Sequence, residues 1–387
     1  MNLNPISQSF SVNYSYKLHF TNGLFETSNP LFVDIIKSYQ EQGQVKVIVV
    51  IDEQVVTSNK NLTSAIENYC SDYSSHIDLR EIITITGGEA SKNKFANVER
   101  IWKAISDKSI CRHSFVIALG GGALIDMAGY ATATAHRGVK LIRIPTTVLA
   151  QNDAAVGVKN GINAFDKKNF IGTFALPYAI INDLDFLKTL ERRDWIAGIA
   201  EAIKVALIKD SNFFDYIEDN AKLLSERQMD AMAPLIHKCA EIHMQHISNG
   251  GDPFENGSSR PLDFGHWAAH KLEQMTNYEL RHGEAVAMGI ALDLTYAHLI
   301  GLIDEQILER ILAVLVNVGF NLNIPLKSAE EVDELLKGIE EFREHLGGQL
   351  TITLISGIGK KQDVHQIDFD KMRQAIAMRS VEQQFSY

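Results

Sequence analysis

The sequence predicts an α/β, Rossmann-like amino-terminal half followed by a mainly α-helical carboxyl-terminal half. Three observations carry this. Apolar runs of strand length alternate with helix-length segments through the first half, as strand–helix–strand units require. At its centre Phe115 to Leu119 runs into Gly120-Gly121-Gly122 and then an apolar helical segment to Gly129. From about Phe186 onward the periodicity becomes that of long helices, in a chain whose 387 residues exceed one ordinary core. The expected domains are 1–188 and 189–387.

Taken in order, Phe10 to Phe20 alternates apolar with polar residues, the period of a half-buried strand. Asn29-Pro30 supplies a cap and a first-turn proline for a helix. Val45 to Ile51 is a continuous β-branched run ending at Asp52, the signature of a strand buried on both faces. A helix follows around Leu62 to Tyr73, then a strand Ile82 to Thr86 ending in Gly87-Gly88-Glu89, then a helix around Asn93 to Ser106. After the glycine turn, Leu141 to Ile144 forms another strand, closed by Pro145-Thr146-Thr147. The text from Gln151 to Asn169 is unusually polar for a compact region, and its simplest reading is a solvated loop. Amphipathic helices fill Asp304 to Ile339, and one short strand, Gln349 to Ile355, interrupts the helical half.

A net charge of −11, with no block of Lys and Arg, argues against nucleic-acid or anionic-membrane partners. No apolar run reaches the ~20 residues of a membrane span, and the first residues lack the basic and apolar regions of a signal peptide. Cys70, Cys111 and Cys239 are odd in number and far apart, which fits reduced thiols in the cytoplasm.

Ligands of open parallel sheets sit at the carboxyl ends of the strands. Asp52, Glu89, the Gly120 turn and Thr146-Thr147 all fall at such ends, so they point to one shared site. A helix beginning after glycines turns its free N–H groups and positive dipole end toward a phosphate, although three consecutive glycines are neither a dinucleotide fingerprint nor a Walker loop. In the second half, Glu201 and Lys204 share a face of an apolar helix. Glu201, His266 and His282 make a carboxylate and two imidazoles, a set that suits a catalytic zinc with an open position. Spacing alone leaves His237, His243 and His246 as competitors, read more simply as a polar helix face.

Taken together, the ordered motifs resemble the dehydroquinate synthase-like sugar phosphate cyclases. The matching text includes Gly120-Gly121-Gly122 to Asp126, His136-Arg137-Gly138, Pro145-Thr146-Thr147, Gln151, Asp153, Lys159, Lys168-Asn169, Ala200-Glu201-Ala202-Ile203-Lys204, Gly265-His266 and His282-Gly283-Glu284-Ala285. The resemblance implies NAD in the first domain, Zn²⁺ or Co²⁺ in the second, a sugar phosphate in the cleft between them, and a homodimer. It assigns NAD contacts to Asp52, Glu89, Lys92, Gly121, Gly122, Asp126, Thr146, Thr147, Lys168, Phe186 and Thr189. It assigns the metal to Glu201, His266 and His282. Substrate and catalytic roles go to Arg137, Asp153, Lys159, Asn169, Lys204, Asp263 and His270.

The expected reaction is transient oxidation of a heptulose 7-phosphate, loss of phosphate, reduction by the same cofactor and aldol closure to a cyclitol. Dehydroquinate synthases hold a substrate carboxylate with an Arg, an Asn and a Lys. Here an ungapped alignment puts Ser259, Asp263 and Gln245 at those positions, with Arg260 one residue from the missing Arg. That favours sedoheptulose 7-phosphate over a carboxylated heptulosonate, as in 2-epi-5-epi-valiolone synthase-type cyclases, which Phe342 to Gly348 also resembles. Dehydroquinate synthase itself, a metal-dependent polyol dehydrogenase and a non-catalytic sugar-phosphate sensor are the alternatives.

Overall fold

The computed structural model describes residues 5–165, 167–250, 254 and 262–380, apart from the side chain of His345. Its strands are β1 (Lys17–Thr21), β2 (Val45–Asp52), β3 (Ile77–Ile85), β4 (Phe115–Gly120), β5 (Lys140–Pro145), β6 (Lys159–Ala164), β7 (Lys167–Phe174), β8 (Ala179–Asp183), β9 (Ile352–Gly357) and β10 (Lys360–Val364). Six of them form one sheet in the order β1-β8-β5-β4-β2-β3, with every pairing parallel. From β2 the chain steps outward to β3, then returns to β4 and continues through β5 and β8 on the other side. The strand order therefore reverses between β2 and β4, which opens a crevice at their carboxyl ends, Asp52 and Gly120.

The continuous apolar runs are explained by burial on both faces. Val47, Val49 and Ile51 of β2 pack into the cluster with Phe32, Ile36 and Tyr69. Ile48 and Val50 pack on the opposite face with Ile101, Leu124 and Ile125. A third core fills the helical half, built around the helices Ile199–Lys209, His266–Met275 and His282–Leu299. Among the helices that the sequence anticipates, the first runs Leu31–Tyr39, with Asn29 Oδ1 accepting from the Leu31 amide (3.0 Å).

Three expectations are corrected. The alternating text from Phe10 becomes strand only at Lys17; Phe10 and Tyr14 are 88% and 62% exposed, because β1 pairs with β8 over Lys17–Thr21 alone. The polar stretch after Thr147 is not a solvated loop. It folds into a single wide helical turn, Ala150–Ala154, and the antiparallel hairpin β6–β7. The strand near residue 352 is likewise one arm of a hairpin, β9–β10.

The stretch before β6 is organised by Arg143, which is fully buried. Its guanidinium donates to the carbonyls of Ala155 (2.8 Å) and Gly157 (2.5 Å) and to Asn160 Oδ1 (2.8 Å). Polar residues here are internal because they bond to backbone rather than to water. Asn160 also packs on Gly129 of the helix Gly122–Thr134, where an added Cβ would overlap Asn160 Oδ1. Gly129→Ala should therefore destabilise the protein by ~1–3 kcal/mol through overpacking. Denaturant unfolding checks this, and an unchanged midpoint would contradict the packing described.

Candidate active site

The helix Ile199–Lys209 is buried from Ile199 to Ile208, yet it carries Glu201 and Lys204. Glu201 is 0% exposed and neither of its oxygens has a well-formed hydrogen bond. The Lys204 ammonium lies against Oε2. His266 Nε2 and His282 Nε2 stand 3.6 and 3.4 Å from Oε1, and the three donor atoms lie within 4.8 Å of one another. A tetrahedral ion with bonds of ~2.1 Å spaces its ligands about 3.4 Å apart. The buried carboxylate and two converging imidazoles thus fit one divalent cation.

Each imidazole is oriented by its other nitrogen. His266 Nδ1 is 3.1 Å from the Phe264 carbonyl, and His282 Nδ1 is 3.1 Å from Glu273 Oε2. These contacts turn both Nε2 atoms toward Glu201, as metal-binding histidines require. Burial, together with the nearby Lys204, keeps His266 well below its usual pKa and so neutral. Burial also opposes charge on His282, but the Glu273 carboxylate and bonds to Glu201 and Glu273 outweigh it and hold the pKa up to about 9. Burial raises Glu201, while Lys204 and His282 pull it down to about 2.

Glu273 is buried and was not anticipated from the sequence, although it lies one helical turn beyond His270 on the same face. It binds Lys168 Nζ at 2.9 Å, so β7 reaches into the surroundings of His282. Lys168, expected at NAD, is placed on this carboxylate. His270 is exposed, and its ring lies 5.5 Å from that of His266 and 6.0 Å from that of His282.

Asp153, in the turn Ala150–Ala154, meets His243 with Oδ1 and Nδ1 2.6 Å apart. Burial and Glu201 raise the Asp153 pKa, but His243 and Lys204 more than offset them. His243 is therefore in the site, not on an idle polar face. Gln245 is exposed; two residues on, it points about 200° away around the helix. His237 instead packs on Phe20, with ring centroids 5.1 Å apart. Asp263 lies close enough to raise the Lys204 pKa. Ser259 and Arg260 fall outside the described residues.

A second group gathers at the carboxyl ends of the sheet strands. Lys92 is 2% exposed and binds Asp126 Oδ2 (2.9 Å) and Asn169 Oδ1, with Glu89 Oε1 at 3.9 Å. Asp52 Oδ1 accepts from the Gln54 amide at 2.9 Å, and burial pushes its pKa up. Gly121 begins the helix Gly122–Thr134, and a Cβ there would meet only Thr147 Cγ2, at 3.6 Å. Room remains above this turn for a ligand, beside the helix amides. Thr146 donates its amide to the Gly120 carbonyl (3.0 Å), and Thr147 Oγ1 accepts from the Ala150 amide (3.1 Å). The Phe186 side chain sits in the sheet core, and Thr189 Oγ1 donates to the Phe186 carbonyl.

Lys159 opens β6, is exposed and borders the same hairpin. Arg137 lies apart from all of these. It precedes β5, while Thr146 follows it, and a strand of that length spans roughly 20 Å. Within one chain, Arg137 is thus at the amino-terminal ends of the sheet strands, opposite the Thr146 end, with φ +62°.

Residues 82–197 match the family model described as 3-dehydroquinate synthase N-terminal, and residues 198–341 match 3-dehydroquinate synthase C-terminal. The chain is 35% identical to a 3-dehydroquinate synthase of Alkaliphilus metalliredigens over 83% of this chain and 87% of that one. Among solved structures it is similar to ValA, a 2-epi-5-epi-valiolone synthase from Streptomyces hygroscopicus with NAD⁺ and Zn²⁺ bound. That match has 27% identity and TM-score 0.86, and covers 96% of this chain and 98% of that one. The NADH-dependent butanol dehydrogenase A of Thermotoga maritima shares the fold alone, at 14% identity and TM-score 0.67 over 96% of this chain and 99% of that one.

The state of His282 has a measurable consequence. With its pKa near 9 in the metal-free protein, it is protonated at neutral pH, and a cation must displace that proton. His266 is already neutral and Glu201 already ionised. Zinc affinity should therefore rise about tenfold per pH unit from pH 7 toward 9 and then level off. Competition against a chelating dye measures this; a flat profile would contradict the arrangement.

Proposed function

The chain belongs to the 3-dehydroquinate synthase family of sugar phosphate cyclases, and within that family we propose that it converts sedoheptulose 7-phosphate to a C7 cyclitol with loss of phosphate, acting as a carbon–oxygen lyase. The observation that carries the reading is the buried Glu201, His266 and His282 set beside Lys204. On this reading, residues 1–188 hold NAD and residues 189–387 hold the metal and much of the substrate. Asp52, Glu89, Lys92, Gly121, Gly122, Asp126, Thr146 and Thr147 border the nucleotide. Zn²⁺ or Co²⁺ on Glu201, His266 and His282 would polarise a substrate hydroxyl, and NAD would take up and return the electron pair.

The protein's own groups then have defined tasks. Lys204, paired with Glu201 and within the field of Asp153 and Asp263, stays cationic and stabilises oxyanion character on the sugar. Asp153, held ionised, orients a hydroxyl or accepts its proton. His270, whose ring lies beside those of His266 and His282, would transfer protons. Lys159 and Asn169, on the two arms of one hairpin, would take the phosphate. Arg137 serves such a phosphate only across a chain contact, which accords with a homodimer. A cytoplasmic location completes the proposal.

The choice of substrate rests on Asp263. A carboxylated sugar would set a second negative charge near it, whereas a hydroxymethyl group would donate to it. The helix residue facing the site is His243, not Gln245, so Gln245 does not bear on the choice of substrate. Dehydroquinate synthase is the second reading, favoured by the curated relatives at 35–36% identity that bear that name.

Loss of even one charge-assisted hydrogen bond costs ~1.5–3 kcal/mol, so the heptulosonate should be disfavoured by on the order of one to two decades in kcat/KM. Sedoheptulose 7-phosphate and 3-deoxy-arabino-heptulosonate 7-phosphate, each given with NAD⁺ and Zn²⁺, test this by phosphate release and product mass. The first should be turned over with no net rise in NADH absorbance. Ser259→Arg with Asp263→Asn should narrow the gap. Efficient conversion of the heptulosonate by the wild type would establish the second reading instead, and one NADH per phosphate would place the protein among dehydrogenases.

A further inference from the structure

Asp293 is fully buried in the helix His282–Leu299, three turns from His282. Its two carboxylate oxygens are both used. Oδ2 accepts the Gly265 amide at 3.0 Å and Oδ1 accepts the Trp267 indole N–H at 2.8 Å. These two donors flank His266 in sequence. Trp267 is itself 2% exposed, so neither donor has water as an alternative.

The same two elements touch through backbone. Gly265 is left-handed, φ +77°, where only glycine is unstrained. A Cβ on it would come within 2.6 Å of the Ile290 amide nitrogen, and a Cβ on Gly289 would overlap the Gly265 carbonyl. The turn that launches His266 is thus pressed directly onto the helix that begins with His282. Steric contact sets how close they come; it does not stop the turn from rotating or sliding. A carboxylate gripping one donor on each side of His266 does.

We propose that Asp293 is a positioning residue for the metal site, fixing His266 relative to His282 through its grip on Gly265 and Trp267. The proposal rests on the metal reading above. It explains why a carboxylate stands in an otherwise apolar stretch, Ile290 to Leu294. Two N–H donors facing one side chain need two acceptors, which Asp supplies and Asn does not. Asp293→Asn would turn its amide nitrogen toward one of the donors. Removing the indole donor as well should relieve that conflict, since the Asn oxygen can then serve Gly265.

The test measures Zn²⁺ affinity by chelator competition and NAD⁺ affinity by titration for wild type, His266→Ala, Asp293→Asn, and Asp293→Asn with Trp267→Phe. Asp293→Asn should bind Zn²⁺ about tenfold or more weakly with NAD⁺ affinity unchanged, and the double variant should recover most of the loss. A residue that only stabilises the fold would lower the thermal midpoint without this split or this rescue. Wild-type zinc affinity in Asp293→Asn, or a double variant weaker still, would overturn the inference. Failure of the wild type to bind stoichiometric zinc, or full zinc binding by His266→Ala, would instead overturn the metal reading and the inference with it.

Discussion

The helical half depends on one buried charge. Glu201 sits in a helix whose residues from Ile199 to Ile208 are all buried, and an isolated carboxylate there would be strongly disfavoured. Its compensation comes from three directions: Lys204 on its own helix, His266 from one neighbour and His282 from another. Each partner must arrive at the correct position, or the charge is left exposed to apolar surroundings. That requirement explains why so much local structure is spent on placing two histidines. Gly265 and Gly289 permit close approach, Phe264 and Glu273 fix the ring orientations, and Asp293 holds the turn.

The constraint extends beyond the helical half. Lys168 of β7 reaches Glu273, and Asp153, at the end of the segment leaving β5, meets His243 of the helix Met229–Asn249. Both connections come from the polar stretch between β5 and β8, which is anchored to the sheet by Arg143 and to the helix Gly122–Thr134 at Gly129. A lone ion pair at a surface contributes little. Here Glu273 is buried and Asp153 half-buried, and Glu273 is shared between Lys168 and His282, so the hairpin and the histidines constrain each other.

Much of this is visible in the sequence because its physical cause is local. The β-branched run Val45 to Ile51 declares a strand buried on two faces, and the glycine turn after Leu119 declares a strand-to-helix junction. Glu201 and Lys204 stand out because charge is rare on so apolar a helix. What was missed depends on partners distant in sequence. Residues 10–16 carry strand alternation, but among the described residues the pairing with β8 begins only at Lys17. The text around Asn160 looks solvated, yet its polar groups are absorbed by Arg143. His243 is indistinguishable from His237 and His246 until the turn at Asp153 is placed beside it. Glu273 and Asp293 act on other residues rather than on a ligand, and no short motif marks them.

The most direct measurement of the central claim is X-ray absorption at the zinc edge on the zinc-loaded protein. The account predicts one cation per chain with a shell of light atoms only, two imidazole nitrogens and carboxylate or water oxygen at ~2.0–2.2 Å. Imidazole scattering should fall to one ring in His282→Ala. The buried Cys239, whose thiol feels the Asp153 and Glu201 charges, makes the alternative concrete. A zinc–sulfur distance of ~2.3 Å, or an unchanged shell in that variant, would contradict the account.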